Sequence, residues 1–173
     1  MRSRHDLAEF KENAKDILVA TLIKETQILR SISSSFPDAN EKSRVIKKFK
    51  TEILNPIRKL RKFIDNETIK NSQIREEIEH LSKKTEVSIG QSQKVINVYL
   101  KLYSLILDKP EKVIGELDCP LDSTTMGKKQ RMKNIKSMSE YIEWQKEFEN
   151  NVGIRLYRDH EYDSNRMEKS FEA

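Results

Sequence analysis

The sequence predicts an all-α protein, a single-domain helical bundle of about five helices around one central, mostly apolar helix. Three observations carry this. The apolar fraction is 36% and the charged fraction 35%, so narrow apolar stripes must alternate with long solvated faces, which suits amphipathic helices. Four Gly and four Pro in 173 residues are too few for the many turns of a sandwich or barrel. Finally, Ser88 to Asp108, SIGQSQKVINVYLKLYSLILD, is apolar on nearly every side of a helix apart from a thin polar stripe of Gly90, Gln93/Lys94, Asn97, Lys101, Ser104 and Asp108. Steps of three and four keep these residues on one line of a 3.6-residue helix. A helix so apolar elsewhere belongs inside a bundle.

The length fits one domain, 1–173, with residues 153–173 reading as an irregular tail in which a short strand or a docked terminal turn would both fit. The single cysteine, Cys119, rules out an internal disulfide, suits a reducing compartment and reads as a small buried apolar residue. One Cys with three His does not assemble a structural zinc site, so no metal or cofactor is expected. The opening MRSRHDLAEFKENAKD is charged throughout, and no run approaches the roughly 18 apolar residues of a membrane span. The expectation is a soluble, cytoplasmic protein without a membrane partner.

Along the chain, Leu7, Phe10, Ala14, Ile17/Leu18, Thr21/Leu22, Ile28/Leu29 and Ile32 predict one long helix over Asp6–Ser33, ended by the serines and by Pro37. Asp38 is the N-cap of a second helix carrying Val45/Ile46, Phe49, Ile53, Ile57, Leu60 and Phe63/Ile64. Pro56 within that pattern predicts a kink near Ile53 or a break at Asn55. A third helix is predicted over Glu67–Lys84 on Ile69, Ile74, Ile78 and Leu81, with a weak point at Asn71-Ser72. Ser88 caps the central helix and Pro110 closes it. Glu111–Thr125 reads as a loop in which Asp122 caps a brief helix, and Ser137 with Glu140 forms a capping box that opens a helix stopped by Gly153.

The polar stripe is the first candidate site. Gln93 and Asn97 can form a hydrogen-bonded ladder, Lys94 and Lys101 add positive charge, and Gly90 near a helix N-terminus allows close approach of a phosphate. Solvent stripes are common, so the leading expectation is that these residues face water, with an anion pocket as the alternative. The run Gly90-x-x-Gln93-Lys94-x-x-Asn97-x-x-Leu100-Lys101, followed by Cys119-Pro120-Leu121-Asp122, resembles a pattern of small, functionally uncharacterised helical proteins of bacteria and phages. The resemblance implies that Gln93, Lys94, Asn97, Lys101 and Asp122 belong together in space, and it brings no activity with it. In physical terms, Asp122 would reach back to Lys94 or Lys101.

Charge clustering is the second signal. The net charge is +5, but Lys42–Lys62 holds Lys42, Arg44, Lys47, Lys48, Lys50, Arg58, Lys59, Arg61 and Lys62 against Glu52 alone. Gly127–Lys136 adds Lys128, Lys129, Arg131, Lys133 and Lys136 with no acid. On a shared face these would neutralise phosphates and bind nucleic acid in a salt-dependent way, mostly without reading sequence. The few aromatic residues nearby give little support for base stacking. The competing reading is a solvated basic face balanced by Glu140, Glu143, Glu147 and Glu149 or by a partner.

Arg155-x-x-x-x-His160 and Arg75-x-x-x-x-His80 resemble the Arg-x(4–6)-His motif of HEPN ribonucleases, small all-helical proteins that act on RNA without a metal, usually across a dimer. The resemblance implies that His moves a proton while Arg steadies charge on phosphate. Arg75 and His80 stand among Glu76, Glu77 and Glu79, a poor setting for phosphate. No Gly-rich phosphate loop, paired Cys or Ser-His-Asp order is found. The leading expectation is therefore a non-enzymatic nucleic-acid binder using Lys47, Lys48, Arg58, Lys59, Arg61, Lys62, Lys128, Lys129 and Arg131. A protein-interaction module, with a protein partner or a homodimer, and a HEPN-like ribonuclease are the alternatives.

Overall fold

A computed structural model describes residues 4–127, 130–156 and 158–159, with side chains from residue 13 onward other than that of residue 152. Among these residues the chain forms eight α-helices and one 3-10 turn and no strand, the all-α architecture that its composition predicts. The helices are α1 (Arg4–Glu25), α2 (Ile28–Ser33), α3 (Ala39–Glu52), α4 (Leu54–Asp65), α5 (Asn71–Thr85), α6 (Ile89–Ile106), α7 (Glu111–Ile114) and α8 (Met138–Val152), with the 3-10 turn at Met132–Asn134. None of them is long and apolar enough to cross a membrane.

α6 is the central element, packed against α1, α2, α4, α5, α7, α8 and the 3-10 turn. Its Val95, Ile96, Tyr99 and Leu100 meet Phe49 of α3, Ile57, Leu60 and Ile64 of α4, and Ile74, Ile78 and Leu81 of α5 in one core, all at most 1% exposed. Each such side chain stabilises the fold by about 1.5–3 kcal/mol when fully buried. The caps predicted at Asp38, Ser88 and Ser137 hold. Asp38 accepts from the Glu41 N–H at 2.8 Å, Ser88 and Gln91 cap α6 reciprocally, and Ser137 and Glu140 do the same for α8, which stops at Gly153 with φ 78°.

Two boundaries differ from the sequence-based expectation and one, at Ile53, agrees with it. The first long helix is broken in two at Gln27, which takes a left-handed conformation, φ 54°. The Thr26 hydroxyl donates to the Leu22 carbonyl at 2.6 Å and closes the α1 terminus, a break that no Gly or Pro announces. The Pro56 effect falls at Ile53, which keeps helical angles between α3 and α4, so Pro56 sits in the first turn of α4 where its missing N–H costs little. α5 starts only at Asn71, the predicted weak point, while Ile69 is buried from the preceding loop.

Candidate functional site

The polar stripe of α6 does not face water. Gln93 is 0%, Asn97 1%, Lys101 6% and Lys94 8% exposed, because the non-helical segment Leu117–Leu121, itself buried, lies across that face. Backbone amides buried outside a helix need partners, and each one left without costs about 1–3 kcal/mol. The stripe supplies them. Gln93 donates to the Leu121 carbonyl at 2.7 Å and accepts from the Leu121 N–H at 3.1 Å. Gln145 of α8 treats Cys119 the same way, 2.8 Å in both directions.

Asn97 continues the ladder, donating to Gln93 Oε1 at 2.9 Å and to the Tyr141 hydroxyl at 2.8 Å. Tyr141 in turn donates to Asp118 at 2.9 Å. The fully buried Asp118 side chain also accepts from Asn71 and pairs with Arg75 and Arg155. Burial beside this carboxylate drives the Tyr141 phenol well above its ordinary pKa, so it stays a neutral donor.

Gly90 has a packing role and no anion role. Its N–H donates to the Ile135 carbonyl at 3.2 Å, and a Cβ there would lie 1.9 Å from the Met132 oxygen. Only Gly lets the Met132–Ile135 backbone approach so closely. The space that the alternative reading gave to an anion at this helix N-terminus is occupied by the Met132 and Ile135 carbonyls.

The stripe lysines pair across loops. Lys94 reaches Asp122 at 2.7 Å, as expected, and Lys101 reaches Asp159 at 2.7 Å. Burial works against the Asp122 charge, but Lys94 and the Thr124 and Thr125 N–H groups outweigh it and hold the carboxyl below the usual carboxylate range. Asp122 closes a single turn here instead of capping a helix. Cys119 is fully buried, and burial pushes its thiol up, as suits a core residue.

Two adjoining clefts open beside these pairs. The outer one, about 640 Å³, is lined by Gln27, Arg30, Ser31, Ser34, Asp122, Ser123, Arg131, Met132 and Lys133. The inner one, about 480 Å³, is lined by Glu25, Lys94, Val98, Lys101, Leu102, Thr124 and Asp159 among others, and it shares Gln27, Asp122, Ser123 and Met132 with the outer.

The basic segments fare differently. On α3 and α4, Arg44 and Lys48 pair with Glu86 at 2.8 and 3.1 Å, Arg58 pairs with Asp16 and Lys59 with Glu77. Arg61 is buried beside Tyr99. Of the six residues expected there to bind phosphate, Lys47 and Lys62 are exposed and unpaired among the described residues. In the second segment Arg131 and Lys133 line the outer cleft, while Lys128 and Lys129 lie outside the described residues.

Arg75 and His80 do not form a joint site. The Arg75 guanidinium is spent on Asp118 at 3.1 and 3.2 Å. His80 is exposed in a separate cleft with Glu52, Glu76 and Glu77 that Arg75 does not line. Arg155 also lies on Asp118, and His160 is outside the described residues.

Sequence reasoning missed Gln27, Arg30, Ser31 and Ser34, because the expected unbroken helix hid the α1–α2 corner. It also missed Asp118, Tyr141, Gln145 and Asp159. The one available signal was the Asp118 carboxylate standing next to a buried-type Cys-Pro pair. Comparison with protein-family models, with curated proteins and with solved structures finds no match to this chain.

Proposed function

We propose that the protein binds nucleic acid by its phosphate backbone in the outer cleft, without catalysing a reaction on it. One observation carries the reading. Arg30, Arg131 and Lys133 converge on a polar cleft with the Ser31, Ser34 and Ser123 hydroxyls, and none of the three has an ion-pair partner among the described residues. On α3 and α4, Arg44, Lys48, Arg58 and Lys59 are paired with acids of other elements. The lone carboxylate in the cleft, Asp122, is spent on Lys94 and two backbone N–H groups. Three cations against one engaged carboxylate favour an anion, and a lining without an aromatic side chain favours a phosphate over a base in this cleft. The proposed site therefore keeps Arg131 from the sequence-based set, adds Arg30 and Lys133, and leaves out the Lys42–Lys62 segment.

The test is fluorescence anisotropy with an oligonucleotide over a salt series. Three phosphate contacts correspond to a log–log slope of about −2 to −3, and Arg131→Ala or Lys133→Ala should each reduce it by about one. Binding that ignores salt, or slopes unmoved by both substitutions, would sink the reading.

A second reading, self-association, is favoured by the consecutive Leu105, Ile106 and Leu107 at the end of α6, which are 50%, 72% and 46% exposed. Sedimentation at rising concentration would show a dimer that Ile106→Asp dissolves.

A further inference from the structure

We infer that the inner cleft receives an unpaired base of the strand whose phosphates lie on Arg30, Arg131 and Lys133, so that the protein selects single-stranded over duplex nucleic acid. The inference rests on the reading of the outer cleft and adds a second subsite to it.

The two clefts adjoin, with Gln27, Asp122, Ser123 and Met132 lining both. Their charges differ. The outer cleft sets three cations against one carboxylate, whereas the inner sets Lys94 and Lys101 against Glu25, Asp122 and Asp159. A phosphate gains nothing by entering the inner cleft, where no positive excess awaits it. A neutral heterocycle does gain, because its edge carries both donors and acceptors.

The inner wall offers matching groups. The Lys94 ammonium has three N–H donors and directs one at Asp122, so the others are available to a base carbonyl. The Gln27 amide and the Ser123 and Thr124 hydroxyls add donors and acceptors. Val98, Leu102 and Met132 supply apolar surface for the ring faces. The volume, about 480 Å³, lies within the range of small-molecule pockets.

Both lysines are anchored by their aspartates at 2.7 Å, so the walls are set before a ligand arrives. Gln27, which lines both clefts, holds a left-handed conformation, φ 54°, unusual for a residue with a side chain. A base inside a duplex is stacked and paired and would have to leave the helix to reach this subsite, while an unpaired one enters freely.

The test compares one single strand of about 12 nucleotides with the duplex of the same sequence, by anisotropy at low salt, using the whole chain. The single strand should bind about tenfold tighter. Thr124→Leu fills the inner cleft and keeps the Thr124 backbone N–H on Asp122. It should lower single-strand affinity to the duplex value and leave duplex affinity unchanged. Val98→Met fills the same cleft from α6 and serves if Thr124→Leu lowers the thermal midpoint. Equal wild-type affinity for the two forms, or a preference that survives both fillings, overturns the inference while the outer cleft stands. Failure of both forms to bind in a salt-dependent way overturns the outer-cleft reading, and the inner subsite with it.

Discussion

Gly90→Ala tests how the core helix positions the outer cleft. A Cβ at this position would stand 1.9 Å from the Met132 carbonyl oxygen, 2.8 Å from its carbon and 3.0 Å from Ile135 Cβ. The nearest neighbour is backbone, so no side-chain rotation relieves the contact, and the 132–135 segment must retreat by about 1 Å or more. The retreat breaks the 3.2 Å bond from the Gly90 N–H to Ile135, worth about 1 kcal/mol, and adds overpacking of about 1–3 kcal/mol. The better helix propensity of Ala returns at most about 1 kcal/mol. The expected net loss is about 1–3 kcal/mol, or about 2–4 °C of thermal midpoint for each kcal/mol in a chain of this size. Because Arg131 and Lys133 flank Met132, oligonucleotide affinity should fall along with stability. Gly115→Ala is the control, since its Cβ would meet only the Glu111 oxygen at 3.3 Å and should cost under about 1 kcal/mol. Urea unfolding reads the stability and anisotropy the affinity. If Gly90→Ala is as stable as Gly115→Ala, close packing of the 3-10 turn on α6 is refuted.

Tyr141→Phe removes the hydroxyl between Asn97 and Asp118 and should destabilise by about 1–3 kcal/mol in urea unfolding, because both partners remain buried. Asp118→Asn leaves the Arg75 and Arg155 guanidiniums without their buried carboxylate. It should cost about 3–5 kcal/mol, read by the same assay. Asp122 has a folded pKa below its unfolded one, so it contributes stability that is complete above about pH 4 and is lost as pH falls through the folded value. A urea-midpoint profile against pH should therefore slope less steeply at acid pH in Asp122→Asn than in the wild type, with the two profiles converging once Asp122 is protonated.

The helices that position the site were legible wherever the signal was local. Ser88 and Gln91, Ser137 and Glu140, and Asp38 and Glu41 stand three residues apart and cap as their types predict. Gln27 escaped notice because a left-handed glutamine has no sequence mark. Asp122 was expected to reach back to Lys94 or Lys101, and the structure pairs it with Lys94. The direction of the stripe was not. Gln93 and Asn97 look like solvent residues until a buried segment 22 to 28 residues downstream claims their amides.

By itself, the sequence determined that this protein is helical, where most helices begin and end, and that Ser88–Asp108 lies at the centre. Periodicity, capping and proline act over three or four residues, and the chain carries those distances in its own order. Which cations remain free for a ligand was decided by tertiary structure alone. Arg44 meets Glu86 and Arg58 meets Asp16 across 42 residues of chain, while Arg30, Arg131 and Lys133 come together in a cleft with no acid left to spend on them. A charge acts through the distance to its neighbours, and folding sets that distance.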